Sequence, residues 1–360
     1  MRDVLKNLKP FFEKYERSLS ALALFIGFVI DSLTLQRIDL FFENAILITY
    51  ILVAGLCIII LNLKDKNIWN LPMFSWVMTV VPFVMQIAFG ALFSGFVVFY
   101  FRSASLSSSW LFMLFLFGML VGNEVFRPYY ERLVFHVSVY FFALLSYCIF
   151  ALPVLLHAMN TFVFIGSILV SIAAICGFLF TMSLFSKAAI QKSLPLIARS
   201  VTIIATIVLF AYLTNIIPPV PLALKESIIA HNAVRAGDTY VLSIEEETFF
   251  DRIAPVKVYH RVSVEPVYVW VSVFAPTNLS TAIVHEWQQK QNGKWVTVTR
   301  DAYPILGGRD NGFRGYSMKS NVEEGQWRVS VETERGQVIG RVRFDIIDVP
   351  VRPHLLSVTR

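Results

Sequence analysis

Cysteine is almost missing from this chain: three in 360 residues, Cys57, Cys148 and Cys176, all within apolar stretches. The last 142 residues contain none, so no disulfide framework or zinc site can be built there. The three are read as buried structural residues. Charge is also scarce, at 16% of residues, and none occurs between Lys66 and Arg102. No phosphate-binding G-x-x-x-x-G-K-[ST] loop and no H-E-x-x-H zinc motif is present. The last long apolar segment has no lysine, which excludes a retinal Schiff base there, and no segment carries the arginine ladder of a voltage sensor. No metal site and no cofactor is expected.

What fills the chain instead is hydrocarbon: 56% hydrophobic residues, with 32 phenylalanines. The distribution is uneven. Residues 1–218 carry 14 Lys+Arg against 9 Asp+Glu, and residues 219–360 carry 17 against 16. The first part is a membrane region; the second is a near-neutral, water-compatible domain long enough for its own core. Of the net charge of +6, the membrane part supplies 5. That excess reflects topology rather than nucleic-acid binding. The amphipathic start, residues 1–17, reads as a cytoplasmic segment ahead of a retained first helix rather than a cleaved signal peptide.

A helix needs about 20 apolar residues to cross the hydrocarbon core. Seven segments qualify, near 18–36, 42–62, 72–101, 109–126, 133–156, 161–185 and 199–217. The third contains Pro82 and is too short for two crossings, so one tilted or kinked helix is expected. Seven spans do not divide into two equal inverted halves, which argues against a common transporter fold. Alternate connections hold 12 basic residues on one side and only Arg37 and Arg102 on the other. By the positive-inside rule the N-terminus is cytoplasmic and the C-terminal domain lies outside.

Two polar clusters interrupt the hydrocarbon. "DSLTLQRIDLFFEN" (31–44) brings Asp31, Arg37, Asp39, Glu43 and Asn44 to the outer ends of the first two helices. It reads either as an interface-anchored loop with an arginine–carboxylate pair or as a polar pocket, since a carboxylate inside hydrocarbon must face protein or water. "GNEVFRPYYERL" (122–133) places Asn123, Glu124 and Arg127 at the inner surface. The small residues Gly90, Ser94 and Gly95 allow close helix contact, within the bundle or between copies of the chain.

After "NIIPPVPLALKES" the periodicity changes from helical to alternating. Segments 266–274, 281–289, 294–299, 326–333 and 337–346 are β-branched and aromatic with period two, with weaker strands near 239–245, 257–263 and 313–319. Asn292-Gly293 signals a type I′ hairpin. The fold class expected is therefore a membrane α-helical bundle of about seven transmembrane helices followed by an all-β, antiparallel, sandwich-like extracytoplasmic domain. Its expected limits are a transmembrane region 18–218, a linker 219–238, the β domain 239–350 and a tail 351–360.

His285 and Trp287 fall on one strand face and read as core members rather than as an acid–base pair. No carboxylate pair and no Ser/His/Asp arrangement is evident at a meaningful spacing. The glycine-bearing stretch 306–320 offers Arg309, Arg314, Tyr316 and Lys319 as a candidate binding loop.

The pattern His285-x-Trp287, Gly293, "GFRGYSMKS", "GQWRVSVET", Gly336 and Phe344 resembles the bacterial family known as domain of unknown function 2914, over residues 240 to 348. The membrane segments resemble the multi-span region found ahead of that domain in some members. The resemblance implies an envelope protein of the bacterial inner membrane with a periplasmic β domain. It implies no reaction and so no catalytic residues. The expected partners are the lipid bilayer and an envelope protein or glycan, with a second copy of the chain as a further possibility, and no nucleic acid. The rival expectation is a membrane-embedded enzyme or transporter for a lipid-linked or small substrate, with its site at the outer ends of the first two helices.

Overall fold

The computed structural model describes residues 28–29, 31–33, 35, 40–62, 72–103, 106–125, 133–248, 251, 254–262, 265–309 and 311–360. The chain divides into two compact units. One comprises Met1–Phe101, Leu111–Leu155 and Asn160–Thr214; the other comprises Arg102–Trp110, Leu156–Met159 and Asn215–Arg360.

The first unit is helical: α1 (Phe41–Asn62), α2 (Pro72–Ser103), α3 (Leu106–Val125), α4 (Leu133–Leu156) and α5 (Thr161–Leu213). Five helical stretches among the described residues are long and apolar enough to cross a membrane: Phe41–Asn62, Val80–Phe101, Leu133–Leu156, Thr161–Ala188 and Ile190–Leu213. Segment 72–101 is one helix with Pro82 inside it, as expected. The loop expected at 187–198 is absent. Helix runs through it, and only Ser186 leaves helical geometry (φ −143°, ψ 58°). A straight helix of that length would separate its ends by about 80 Å, yet Phe164 and Tyr212 stack with ring centroids 3.6 Å apart. The chain therefore reverses at Ser186 into a helical hairpin. The basic residues read as a loop, Lys187, Lys192 and Arg199, are exposed on helical turns flanking that reversal.

Packing inside the bundle follows the buried stripe of α1, which runs through Glu43, Leu47, Ile51, Ala54 and Ile58. A side chain at Gly95 of α2 would meet Leu47 and Leu35, so the small residue there serves contact within one chain. Phe93, Phe96, Phe99 and Tyr100 of α2 form an aromatic seam with Phe142 and Phe150 of α4. Ser138 of α4 donates to Ser200 of the second arm of α5 at 2.7 Å.

Among the described residues the second unit holds eleven strands: β1 (Ala223–Ala230), β2 (Asn232–Ala236), β3 (Thr239–Glu245), β4 (Lys257–Arg261), β5 (Val267–Phe274), β6 (Ser280–Gln291), β7 (Lys294–Leu306), β8 (Phe313–Lys319), β9 (Gly325–Thr333), β10 (Val338–Asp348) and β11 (Leu355–Thr359). They form three sheets, ordered β1-β5-β8, β4-β10-β9-β6-β7 and β11-β3-β2. Pairing is antiparallel except between β10 and β4, which run parallel, a departure from the expected all-antiparallel domain. β1 and β2 occupy the stretch read as linker and β11 the stretch read as tail. Their mixed composition hides the period that the other strands display.

The main core takes Val267, Val269, Val271 and Val273 from β5 together with Ile283, Trp287, Trp327, Val329, Val331 and Phe344 from the five-stranded sheet. The other face of β5 gives Trp270 to a second core with Ala230, Ala233 and Leu242. The β6–β7 turn has Asn292 at φ 50° and Gly293 at φ 77°, the two positive values that a type I′ turn demands.

The exit from the helices is part of this core. Leu222 is fully buried in the main cluster, and Ile217, Pro218, Pro219, Val220 and Pro221 are buried beside it. Gln337 Nε2 donates to Ile217 O at 3.3 Å and Asn215 Nδ2 to Arg335 O at 3.2 Å, fastening the segment to the β9–β10 turn. A fragment beginning at Asn215 is therefore expected to melt well above one beginning at Ala223, because burying Leu222 alone is worth about 1.5–3 kcal/mol. Equal melting temperatures would show that the exit segment is a mere tether.

Candidate functional site

The clearest chemical feature is the outward face of β7, β6, β9 and β10. Residues alternate across a sheet, so the positions that interleave with the core must point away from it. Register sets Arg300, Glu286, Ser330 and Arg341 in one row, and Thr297, Gln288, Arg328 and Arg343 in the next. Glu332 lies on the same face, two residues beyond Ser330.

Two carboxyl groups meet there. Glu332 is 6% exposed. Burial, and then the neighbouring Glu286, with which it shares a hydrogen bond, push its pKa up to about 7 against the pull of Arg300 and Arg341. Two carboxylates in contact cannot both ionise cheaply. Arg300 Nη2 stands 3.6 Å from Glu332 Oε2, and Thr297 Oγ1 donates to Glu286 Oε1 at 3.0 Å. The carboxylate pair that sequence spacing did not reveal exists because β6 and β9 are neighbours.

Arginines crowd the same face. Arg328 and Arg343 are directly opposed across β9 and β10, a like-charge pairing that is destabilising by itself. Burial and the guanidiniums of Arg341 and Arg343 push the pKa of Arg328 down; burial and Arg343 do the same to Arg341, against the pull of Glu332 and Glu286. Arg328 stacks 4.5 Å over the Trp295 ring and donates to Gln288; Arg341 Nε donates to Ser330 Oγ at 3.3 Å.

The histidine singled out in the sequence lies on the opposite, inward face. His285 is fully buried, with Nδ1 2.7 Å from Ser317 Oγ and Nε2 3.0 Å from Tyr303 OH. Trp287 Nε1 donates to the same Ser317 hydroxyl at 2.9 Å. Gly315 leaves room for the Tyr303 ring, whose atoms would lie 2.8 Å from an added Cβ. Burial pushes the His285 pKa down to about 4. The neutral imidazole has both nitrogens satisfied, so this is a polar knot inside a core, as expected, and not an acid–base centre.

The candidate binding loop is strand from Phe313 onward, and its members diverge. Arg314 and Tyr316 lie on one face, Ser317 and Lys319 on alternate positions. Arg314 Nη1 donates to Asp238 O at 3.3 Å, and Tyr316 packs against Tyr240 and Tyr268. Lys319 Nζ donates to Thr299 Oγ1 at 2.6 Å, and Arg309 lies 5.5 Å over the Phe313 ring. These four side chains do not converge on one ligand.

A third polar cluster ties layers together. Glu245 accepts from the backbone N–H of His260 at 2.7 Å, and its oxygens stand 2.7 Å from His260 Nδ1 and 3.0 Å from His231 Nε2. Burial opposes its charge, but these hydrogen bonds outweigh it and hold the Glu245 pKa below its ordinary value.

Of the cluster at 31–44, Arg37 and Asp39 lie outside the described residues, as does Arg127 of the cluster at 122–133; the side chains of Asn123 and Glu124 are likewise outside. Asn44 Nδ2 donates to Leu40 O at 3.1 Å, and Tyr147 OH donates to Asn44 Oδ1 at 3.2 Å, bridging α1 to α4. Glu43 is buried, with Oε2 lacking a hydrogen-bond partner. Among the described residues no group of three His, Cys, Asp or Glu is placed to hold a metal ion.

Residues 280–346 match the family described as "Protein of unknown function (DUF2914)", a narrower stretch than the 240–348 of the sequence resemblance. The matched region contains both the carboxyl pair and the arginines. No curated protein matches the chain. A solved structure, Pseudomonas fluorescens alkylpurine DNA glycosylase AlkC bound to DNA containing an abasic site analog, aligns over 87% of this chain and 100% of its own. The identity is 8% and the TM-score 0.22, too low to carry any argument about fold or function.

The carboxyl pair has a measurable consequence. With the Glu332 pKa raised from 4.5 to about 7, the folded state holds a proton that the unfolded state has released, so this group's contribution falls as pH rises through that window. His285 acts the other way: with its pKa lowered from 6.5 to about 4, stability is lost as pH drops from 6.5 toward 4. Glu332→Gln is therefore expected to be more stable than wild type above about pH 7, by roughly 1–3 kcal/mol. The gap should close toward pH 5. Chemical denaturation of both proteins across that range checks it, and a pH-independent difference would show that the pair does not share a proton.

Proposed function

We propose that this chain is a multi-span protein of the bacterial inner membrane whose outward β domain holds an acidic envelope partner, protein or glycan, without catalysing a reaction. The observation that carries the reading is the crowding of Arg328, Arg341 and Arg343 on one sheet face, with burial and mutual repulsion depressing the pKa of two of them. An anion laid across these guanidiniums relieves the repulsion and gains charge-assisted hydrogen bonds. Trp295 and Thr297 beside them suit a hydroxyl-rich chain. The Glu286–Glu332 pair sets an edge to the positive patch and disfavours an anion laid beyond Ser330. A sandwich arrangement of the β1-β5-β8 sheet and the five-stranded sheet is supported by the buried cluster that draws on both.

Seven crossings with a cytoplasmic N-terminus are supported by the 12-to-2 distribution of basic residues. Segments 102–110 and 156–159, which that count assigns to the outer side, belong to the same compact unit as the strands. A second reading, a membrane-embedded site for a small substrate at the outer ends of the first two helices, is favoured by the buried Glu43.

Two measurements test the proposal. The purified full-length protein is titrated with an acidic polysaccharide and with a neutral one of similar length. Binding to the acidic chain alone is expected, weakening with salt, and Arg328→Ala or Arg343→Ala should each lower affinity about tenfold. Equal binding of both polymers, or indifference to both substitutions, sinks the idea. For orientation, a reporter active only outside the cytoplasm should work when fused after Arg360 or within 102–108 and stay silent within 187–198; the reverse pattern would overturn the topology.

A further inference from the structure

We infer that Glu43 forms a binding site for a monovalent cation at the outer end of α1. The inference goes beyond the β-domain reading and is independent of it. Glu43 is 6% exposed, and its Oε2 is buried with no hydrogen-bond partner. It sits at the head of the α1 stripe whose next member, Leu47, packs against Gly95 of α2. Asp31 faces the same stretch of α2, with its carboxylate against Ser94; the Ser94 hydroxyl is buried and closes no hydrogen bond of good geometry. Of these two carboxylates only Glu43 carries a buried oxygen with no hydrogen-bond partner, and it has no ion-pair partner among the described residues.

The sequence supplies no counter-charge from the helices around them. No lysine or arginine occurs within 41–62, 72–101, 109–122 or 133–156. An uncompensated carboxylate in such a setting is strongly unfavourable, and a positive partner from outside these helices would relieve it. One unpartnered carboxylate neutralises one charge. The absence of any three-residue His/Cys/Asp/Glu group among the described residues argues against a divalent donor set. A single carboxylate with neutral oxygens nearby suits an alkali ion or the ammonium group of a small amine. Neutral oxygens at this end of the two helices are Ser94 Oγ on α2 and the amide oxygen of Asn44, the next residue along α1, which accepts from Tyr147.

The test uses the full-length protein in detergent, exchanged into a buffer of large impermeant organic cations. Thermal unfolding is followed while sodium, lithium, potassium or methylammonium chloride is added. One of these is expected to raise the melting temperature saturably, by about 5 °C at a hundredfold excess over its Kd, with no such rise in Glu43→Gln. The alkali and methylammonium arms separate an ion from an amine. Carbodiimide modification of Glu43 in the wild-type protein, read by mass spectrometry, should fall when the same cation is added, which keeps the test valid if the variant folds poorly. A rise that persists in Glu43→Gln, or no cation-specific effect on either readout, overturns the site. So does equal destabilisation by Arg37→Gln and Glu43→Gln with no further loss in the double variant, which would make Arg37 the counter-charge.

Discussion

Strand β5 is covered on both faces, and the β unit depends on that constraint. Its valines at 267, 269, 271 and 273 enter the core shared with the five-stranded sheet, while Trp270 on the other face anchors the third sheet. A one-residue slip of β5 would carry the valine row to the Trp270 side and drive Tyr268 and Trp270 into the main core, disrupting both. Its register with β1 and β8 is thereby fixed. Fixing β8 places Ser317 where it meets His285 and Trp287 from the facing sheet. That hydroxyl joins the two sheets by polar contacts within their apolar interior.

The same alternation that fills the core creates the charged face. Every residue that β6, β9 and β10 turn inward obliges its neighbours to turn outward, and those neighbours are Glu286, Arg328, Glu332, Arg341 and Arg343. Neither their burial nor their crowding follows from being outward. Glu332 and Ser330 are buried, with Arg300 against the first and Arg341 against the second, and the Glu332 proton follows from its burial and from Glu286. The charges on this face repel in part, which costs stability.

In the helical unit a few polar groups among the described residues make contacts between helices. Asn44 joins Tyr147, Ser138 joins Ser200, and Glu43 stands buried with an oxygen unmatched. The reversal at Ser186 turns one apolar stretch into two antiparallel arms with Lys187, Lys192 and Arg199 exposed around the bend. Those basic residues are counted on the same side whether the segment is loop or helix, so the charge asymmetry survives the corrected secondary structure.

Much of the architecture was legible from the chain because its signals are local. Long uncharged runs mark helices, period-two runs mark β3 to β10, and Asn292-Gly293 marks its turn, each through forces acting within about ten residues. The buried state of His285 was legible too, from its place between Ile283 and Trp287. Strands β1, β2 and β11 escaped because their mixed composition shows no period; they are strands only because partners elsewhere pair with them. The Glu286–Glu332 pair, the opposed Arg328 and Arg343, and the buried exit segment at 217–222 depend on which strands become neighbours. Sequence alone determined the outward side of the strands whose period it showed, since alternation is a property of the extended backbone. Only the tertiary structure decided which charges meet there, since register across strands is set by packing of the core beneath.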